Sequence, residues 1–407
     1  MKTTLVVSKK ILIVSLLLNA AIAQADFADS RDIPPKDIET LRKEAESGDA
    51  ESQYWLGCIY FEGSLVGKDD EEAARWIRKS AKQGYAEAQN AFGVMLKEGV
   101  TVDKDSEEAF KWFRKAANKG LPEAQFNLGR LYLEEKTTWD VGEDDSMSVV
   151  LDKCNRNKSE GLLWIRKAAE KGLAQAQFYL GGELDDDEGK KWLRKAADQG
   201  YAPAQYELGG VLIPEGDESV RWYLKAAIQG HVDAQYQLGG LYEEGEYVEK
   251  DLKTAYNWYR KAAEHDGRDA EYWDGWCQYF WGSARAKVKL GDMYANGHGI
   301  VKDYGEAAKW YQLALRSNDV VTKIQAEVKL GKMHMKGFGV TKDYAEAFRL
   351  FREATDGHGD DSMEARYNLG YMYEHGLGVK KDMNAARQWY MKAAERGHVE
   401  AQKALAR

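Results

Sequence analysis

Small, apolar and aromatic positions recur along this chain with the spacing of paired amphipathic helices. The first half of each unit reads A-x-x-x-L-G-x-x-Y, which places the alanine, the leucine and the tyrosine at intervals of four residues. Residues four apart share one stripe of an α-helix, so this half predicts a helix with one apolar stripe. The second half reads A-x-x-W-Y-x-K-A-A-x-x-G and predicts another helix, whose tryptophan packs opposite the small alanines.

Nine units follow this template, and their spacing is uneven. The intervals between their starts are 36, 36, 52, 28, 30, 52, 40 and 39 residues. The template begins at Ser52, Ala88, Ala124, Ala176, Ala204, Ala234, Ala286, Ala326 and Ala365. A single helix pair cannot bury its apolar stripe alone, so the pattern predicts an all-α solenoid of about nine stacked helix–turn–helix repeats.

The ends of the predicted helices carry recognisable signals. An aspartate followed three residues later by a glutamate precedes several second helices, as in Asp303/Glu306 and Asp343/Glu346, and this spacing predicts capping boxes. A glycine such as Gly84 or Gly230 follows the second helix and predicts its end. We expect a mobile leader at residues 26–35, a capping helix at 36–51 and the solenoid at 52–407.

One stretch of the chain carries the repeat in nearly complete form. Residues 365–400 include Gly376, Gly378, Val379, Asp382 and Trp389 in the order of the whole template. This pattern resembles the Sel-one-like repeat, a relative of the tetratricopeptide repeat, over about residues 38–407. The resemblance implies a right-handed α/α superhelix that acts as an adaptor or scaffold, and many bacterial members of the family are exported.

The first 25 residues have the features of a secretory signal peptide. Lys2, Lys9 and Lys10 precede a short apolar run, and Ala23 and Ala25 are small residues at the positions that signal peptidase requires. We predict cleavage after Ala25, a periplasmic protein and no integral membrane segment after cleavage. Cleavage takes the formal net charge from −9 to −12. Such an acidic chain is a poor ligand for nucleic acid or for anionic membranes.

Catalytic and metal-binding motifs are not apparent in the sequence. It contains no H-E-x-x-H, C-x-x-C, Walker-type loop or G-x-S-x-G, and its seven histidines are scattered. We therefore predict no enzymatic activity, no cofactor and no metal. Cys58, Cys154 and Cys277 form an odd, widely spaced set, which leaves a Cys154–Cys277 bridge open beside three free thiols.

Two units exceed the template, at about residues 135–158 and 265–285. Eight of the 13 tryptophans occupy the repeat position, and four of the other five lie in these insertions. Exposed aromatic side chains are typical interface anchors, so we nominate the insertion residues Trp139, Tyr272, Trp273, Trp276, Tyr279 and Trp281 for partner binding. Two alternatives are open: the rings pack onto the solenoid, or they form a platform for a sugar or a peptide.

A second candidate surface lies on the first helices. The residue just before the repeat leucine lies off the apolar stripe, and we interpret this position as the concave face. It is occupied by Trp55, Ala91, Asn127, Tyr179, Glu207, Gln237, Lys289, Lys329 and Asn368. The two lysines favour an acidic patch on the partner. The alternative is that the whole row is an ordinary solvated helix face.

These observations favour a non-enzymatic scaffold that binds another protein in the periplasm. The partner is either a secreted antibacterial effector, which would make this chain an immunity protein, or an envelope protein held by an adaptor or regulator. Irregular insertions suit an interface made for one partner, and the family that this sequence resembles includes immunity proteins. A secreted factor that acts on a host and, more remotely, a β-lactam hydrolase are the remaining alternatives.

Overall fold

The computed structural model describes residues 38–63, 65–134, 147–184, 187–213, 216–265, 281–356 and 359–406. Side chains are described within these ranges except at residues 134, 147–155, 281 and 356. The predicted signal peptide, its cleavage site and the leader fall outside these ranges, and so do Cys277 and the side chain of Cys154. Cys58 is buried and free.

The described residues form twenty α-helices, one short 3₁₀ helix at Ala354–Asp356 and no strands, which confirms the all-α prediction. In chain order the helices are α1 (Ile38–Ser47), α2 (Ala50–Glu62), α3 (Asp70–Gln83), α4 (Ala86–Glu98), α5 (Ser106–Asn118), α6 (Pro122–Glu134), α7 (Met147–Glu170), α8 (Ala174–Glu183), α9 (Asp187–Asp198), α10 (Ala202–Val211), α11 (Asp217–Ile228), α12 (Val232–Glu244), α13 (Leu252–Glu264), α14 (Trp281–Asn296), α15 (Tyr304–Ala314), α16 (Val320–Lys336), α17 (Tyr344–Glu353), α18 (Asp360–His375), α19 (Met383–Ala394) and α20 (Val399–Leu405).

The helices pair in consecutive repeats, as the template predicts. Each repeat joins an even-numbered first helix to the odd-numbered second helix that follows it, from α2 with α3 in repeat 1 to α18 with α19 in repeat 9. Helix α1 precedes the array, and α20 is a further first-type helix after it. The described chain divides within α10 into two compact units, which we call unit 1 (residues 38–204) and unit 2 (residues 205–406).

A close approach between the two helices of a repeat explains the template glycine. In unit 2 the rings of Tyr259, Tyr311 and Tyr390 lie directly over such glycines. A Cβ added at Gly239 would come within 2.5 Å of the Tyr259 ring. In unit 1 Gly93 lies against Phe113 in the same way. The glycine therefore makes room for the ring of the second helix, which offsets its poor helix propensity.

The template tryptophan packs into the repeat while a lysine one turn later covers its outer face. Trp222 is 5% exposed, and the Lys225 ammonium lies 3.7 Å from the centroid of its ring. The same tryptophan–lysine pair occurs at Trp76, Trp112, Trp164, Trp192, Trp258 and Trp389. A cation over an aromatic face stabilises it by about 0.5–1 kcal/mol at exposed sites.

Only one half of the predicted capping box forms at the starts of the second helices. The Asp303 and Asp343 carboxylates accept the Glu306 and Glu346 N–H groups at 3.0 Å, as predicted. The glutamates do not reach back; they bind Lys309 and Arg349. The capping N–H of Asp343 instead donates to the carbonyl of His334 in the first helix, at 3.0 Å. This bond ties the two helices of a repeat together, so the glutamate is not needed as a cap.

Candidate functional site on the first helices of repeats 7 to 9

The first helices of repeats 7, 8 and 9 are longer at their N-terminal ends than those of other repeats. Helices α2, α4 and α12 begin two residues before the residue that opens the template, for example at Val232 before Ala234. Helices α14, α16 and α18 begin five or six residues before it, at Trp281, Val320 and Asp360. Since one helical turn takes about 3.6 residues, each of these helices has about one additional turn.

A pocket in unit 2 lies beside the additional turns of α16 and α18. Its volume is about 350 Å³, near the lower end of the range for ligand pockets. Its lining comes from α12, α14, α16 and α18, all of them first helices: Tyr236, Arg285, Val288, Lys289, Asp292, Val321, Thr322, Gln325, Lys329 and Asp361. Half of these residues, Arg285, Val321, Thr322, Gln325 and Asp361, precede the start of the template in their repeat.

Lys289, a predicted site residue, enters the pocket as part of a fixed ion pair. Its ammonium lies 2.8 Å from the Glu243 carboxylate, which belongs to the preceding repeat. The Tyr259 hydroxyl donates to the same carboxylate oxygen at 2.7 Å. Burial alone would raise the pKa of Glu243, but the hydrogen bonds from Lys289 and Tyr259 hold it below its usual value. Glu243 is therefore ionised at neutral pH and orients the lysine.

Lys329, one repeat further on, has the same arrangement. Its ammonium lies 2.7 Å from the Asp292 carboxylate of the preceding repeat, and the Tyr311 hydroxyl donates to that carboxylate at 2.6 Å. Burial, together with the charge of Asp292, raises the pKa of Tyr311, so the phenol keeps its proton and acts as a donor. Lysine, carboxylate and tyrosine thus repeat as a triad along this face.

Arg285 lines the pocket next to the buried carboxylate of Asp319 and the half-buried carboxylate of Asp233. Its guanidinium lies 3.9 Å from Asp319, the N-cap of α16, which accepts the Thr322 hydroxyl at 2.5 Å. On the other side, Asp233 accepts the Gly282 N–H at 2.8 Å. Burial raises the pKa of Asp233 to about 6, while the Gly282 amide and Arg285 oppose this shift.

The other predicted residues of unit 2 lie outside the pocket lining. Gln237 is exposed, and Glu207 is half-buried, with a pKa that burial raises. Asn368 is buried, and its amide donates to the Glu364 backbone carbonyl at 2.8 Å and to its carboxylate at 3.1 Å. At repeat 9 this position of the predicted concave row is therefore buried.

The predicted residues of unit 1 do not assemble into one described site. Trp55 is half-buried with its ring against Tyr54, and Tyr179 is half-buried beside Phe126. The Asn127 amide donates to the Asn90 side chain in the preceding repeat at 2.9 Å. Ala91 is 2% exposed, so this member of the predicted concave row is buried.

Most of the nominated insertion residues fall outside the described part of the chain. These are Trp139, Tyr272, Trp273, Trp276 and Tyr279. Trp281 opens α14, but its side chain is not among those described. The residues that flank the second insertion are joined, because the Ser283 hydroxyl donates to the His265 carbonyl at 2.5 Å. Partner binding by the aromatic insertions stays a prediction.

Three lining residues of the additional turns, Val321, Thr322 and Asp361, were not identified from the sequence, and neither were Arg285 and Gln325 at the regular helix start. A signal for the additional turns existed in the intervals of 40 and 39 residues after repeats 7 and 8, which exceed the regular 36 by about one helical turn.

Within the described ranges, no cluster of three histidine, cysteine or acidic side chains is arranged to hold a metal ion. No helix in the described part of the chain is both long and apolar enough to cross a membrane.

A family model of known proteins matches the repeat pattern of this chain. The Sel1 repeat matches ten segments: residues 50–85, 86–121, 122–147, 151–173, 173–201, 202–231, 232–267, 284–319, 324–357 and 364–398. Two of these segments, 122–147 and 151–173, fall in repeat 3, and both extend into the insertion predicted at about residues 135–158. No curated protein matches the chain in sequence.

Three bacterial proteins are among the solved structures that are similar to this chain. The protective antigen c5321 of uropathogenic Escherichia coli, which displays an SLR fold, is 26% identical over 91% of this chain and 89% of its own, with a TM-score of 0.47. A Sel1 repeat protein from Oxalobacter formigenes is 28% identical over 91% and 90%, with a TM-score of 0.35. The immunity protein Pa5087 from Pseudomonas aeruginosa is 20% identical over 57% and 81%, with a TM-score of 0.34.

All three TM-scores lie below 0.5, so the assignment rests on the sequence match. Sel1 repeats form scaffolds suited to protein–protein interaction and are generally not catalytic. The matched segments cover well over half of the residues, and the chain therefore belongs to the Sel1 repeat family.

Proposed function

We propose that this chain is an exported, non-enzymatic scaffold that binds one protein partner through the first-helix face of unit 2. The observation that carries this proposal is the pocket lined by α12, α14, α16 and α18, to which the additional turns of α16 and α18 contribute Val321, Thr322 and Asp361. The regular repeat has no such turns, so this part of the lining is a property of this chain rather than of the stacking of its repeats. A side chain of a partner protein is the kind of group that such a concave, polar pocket accommodates.

The ion pairs support binding because they hold the pocket lysines in place before a partner arrives. Lys289 and Lys329 are each about one third exposed, so they are accessible while their ammonium groups are fixed by Glu243 and Asp292. Ordering a long side chain at an interface costs about 0.5–1.5 kcal/mol. Because the ion pairs already order Lys289 and Lys329 in the folded chain, part of this cost does not arise on binding.

The finer proposal is that the chain acts in the periplasm as an immunity protein against a secreted antibacterial effector. The signal-peptide pattern before Asp26 supports export. The uneven repeats and the two insertions support an interface made for one partner, since a general adaptor has no need of them. The aromatic insertion residues, Trp273 and Trp276 among them, would extend the contact beyond the pocket.

Affinity capture from a periplasmic extract tests the scaffold function. We expect a protein to co-purify with the wild-type chain and to be lost, at least in large part, with Lys289→Gln/Lys329→Gln. Lys332→Gln is the matched control, because Lys332 lies on the same helix as Lys329 and is paired with Glu364 at 3.0 Å but does not line the pocket. Equal capture by all three chains would contradict binding at this face.

Growth rescue tests the immunity role. An effector encoded beside this chain, directed to the periplasm, should arrest growth, and co-expression of the chain should restore it. A chain without residues 2–25 should not protect, because it would stay in the cytoplasm. Protection by that truncated chain would exclude a periplasmic immunity function while leaving the scaffold function in place.

A further inference from the structure

We propose that the pocket between α14, α16 and α18 binds a carboxylate of the partner polypeptide, either an acidic side chain or a chain terminus. This inference rests on the proposed function, because it names the chemistry by which the scaffold recognises its partner. Three of the lining residues are cationic, and each is held by one carboxylate: Arg285 by Asp319, Lys289 by Glu243 and Lys329 by Asp292. One carboxylate does not use all the N–H donors of a guanidinium or an ammonium group.

Two of the cations lie on the same face of one helix. Arg285 and Lys289 are four residues apart on α14, so their side chains are neighbours across one turn. A guanidinium presents N–H donors in a planar fork that matches a carboxylate, and an ammonium has three N–H groups. Glu243 accepts one N–H of Lys289, so this lysine keeps donors for a ligand while its position is fixed.

Asp292 and Asp361 are the two carboxylates that line the pocket, and they lie in different surroundings. Asp292 accepts hydrogen bonds from both Lys329 and Tyr311, so its charge is already neutralised within the triad. Asp361 lies on α18, two first helices away from Arg285 and Lys289. Arg285 and Lys289 on α14 are therefore the donors at which a ligand carboxylate would bind, away from Asp361 on α18.

The rim of the pocket adds an apolar contact. Val321 lines the pocket and is 61% exposed, and the adjacent Val320 is 65% exposed. Two exposed valines at the first turn of α16 have no role in the core of the repeat. They provide a surface for an aliphatic side chain next to the bound carboxylate, so the preferred peptide combines an acidic group with a neighbouring aliphatic residue.

Isothermal titration calorimetry with three N-acetylated hexapeptides tests this inference without the natural partner. The probes are GSVEVG with an amidated C-terminus, GSVQVG with a free C-terminal carboxylate, and GSVQVG with an amidated C-terminus. We expect at least one of the two carboxylate peptides to bind roughly tenfold or more tightly than the neutral one, as hydrogen bonds to charged groups provide. The peptide that binds identifies the source of the carboxylate.

Variants of the full chain locate the contact. Arg285→Gln should remove the preference for the carboxylate peptides, and Lys332→Gln should retain it. Arg285 is about half exposed, so thermal unfolding of the variant should match that of the wild type; if it does not, Lys329→Gln takes its place. Equal binding of all three peptides, no binding by the carboxylate peptides, or a preference that survives both substitutions would overturn the inference.

These outcomes are separable from a failure of the proposed function. If the peptides show no preference but the wild-type chain still captures a partner that the pocket variant loses, the scaffold function stands and the carboxylate ligand is wrong. If the peptides show the preference but no periplasmic partner is captured, the pocket chemistry stands and the assigned function is wrong.

Discussion

Glu327 is a buried side chain that makes the stability of this fold depend on pH. It lies on α16, is 2% exposed, and has its carboxylate 3.8 Å from the Lys323 ammonium. Burial raises the pKa of Glu327 to about 7; Lys323 and Arg349 oppose the shift, and the nearby Glu353 adds to it. The glutamate is therefore partly protonated near neutral pH, unlike an exposed glutamate, whose pKa is about 4.3.

The sign of its effect on stability follows from proton binding. The folded chain binds more protons at Glu327 than the unfolded chain does between about pH 4.5 and pH 7, so the free energy of unfolding falls as the pH rises through this window. Glu327→Gln should remove this contribution and make the protein more stable than wild type at pH 8 but not at pH 5. Denaturant unfolding at the two pH values measures the difference.

The control for Glu327 is an exposed glutamate in the same unit. Glu246→Gln, in the loop after α12, should leave the pH dependence of wild type unchanged. A Glu327→Gln chain with the same pH dependence as wild type would show that the carboxylate is solvated in the folded state.

At the scale of the helix, the additional turn of α16 can be removed to alter the pocket while the repeat itself stays intact. Removal of residues 320–323 would reduce the interval of 40 residues to 36. It would also place Asp319, the N-cap of α16, three residues before Ala326, which is the offset of the capping residues Asp49 and His231 from Ser52 and Ala234. The deletion therefore restores the regular helix start with a cap already present.

We expect the chain without residues 320–323 to fold and to lose its preference for carboxylate peptides. Circular dichroism should show helix content and a melting transition close to those of wild type, because the residues removed precede the template and include the exposed Val320 and Val321. Calorimetry with the peptides should show binding no tighter than that of the neutral probe. Retained preference would show that Arg285 and Lys289 bind the carboxylate without the wall of the pocket that residues 320–323 supply.

The helices were predictable from the sequence because their signals are local. The template glycine, the tryptophan and the capping aspartate each act within one repeat, as Gly239, Trp222 and Asp343 do. The lysine–carboxylate triads were not predictable, because Lys289 and Glu243 are 46 residues apart and Lys329 and Asp292 are 37 apart. Such pairs depend on the register between repeats, and uneven intervals hide that register.

At the scale of the molecule, an array of repeats distributes its stability through contacts between neighbours. The apolar cluster of α11 and α12 joins Tyr223 and Ala226 to Ala234 and Leu238, with the next repeat touching it through Trp258. Each repeat of such an array contacts its neighbours and little else, so damage to one repeat should spread only a short distance. Within unit 2 this predicts local rather than global opening.

Trp222→Ala tests that expectation. Trp222 is 5% exposed on α11, and truncation of a buried aromatic side chain costs about 3–5 kcal/mol. Hydrogen exchange measured by mass spectrometry should become faster in α11 and α12, while α18 and α19 keep their protection because they are several repeats away. Ile228→Ala, at a position 71% exposed on the same helix, should change neither region. Equal acceleration throughout unit 2 would instead show that its repeats unfold as one cooperative block, and no acceleration in α11 would contradict the packing of the template tryptophan.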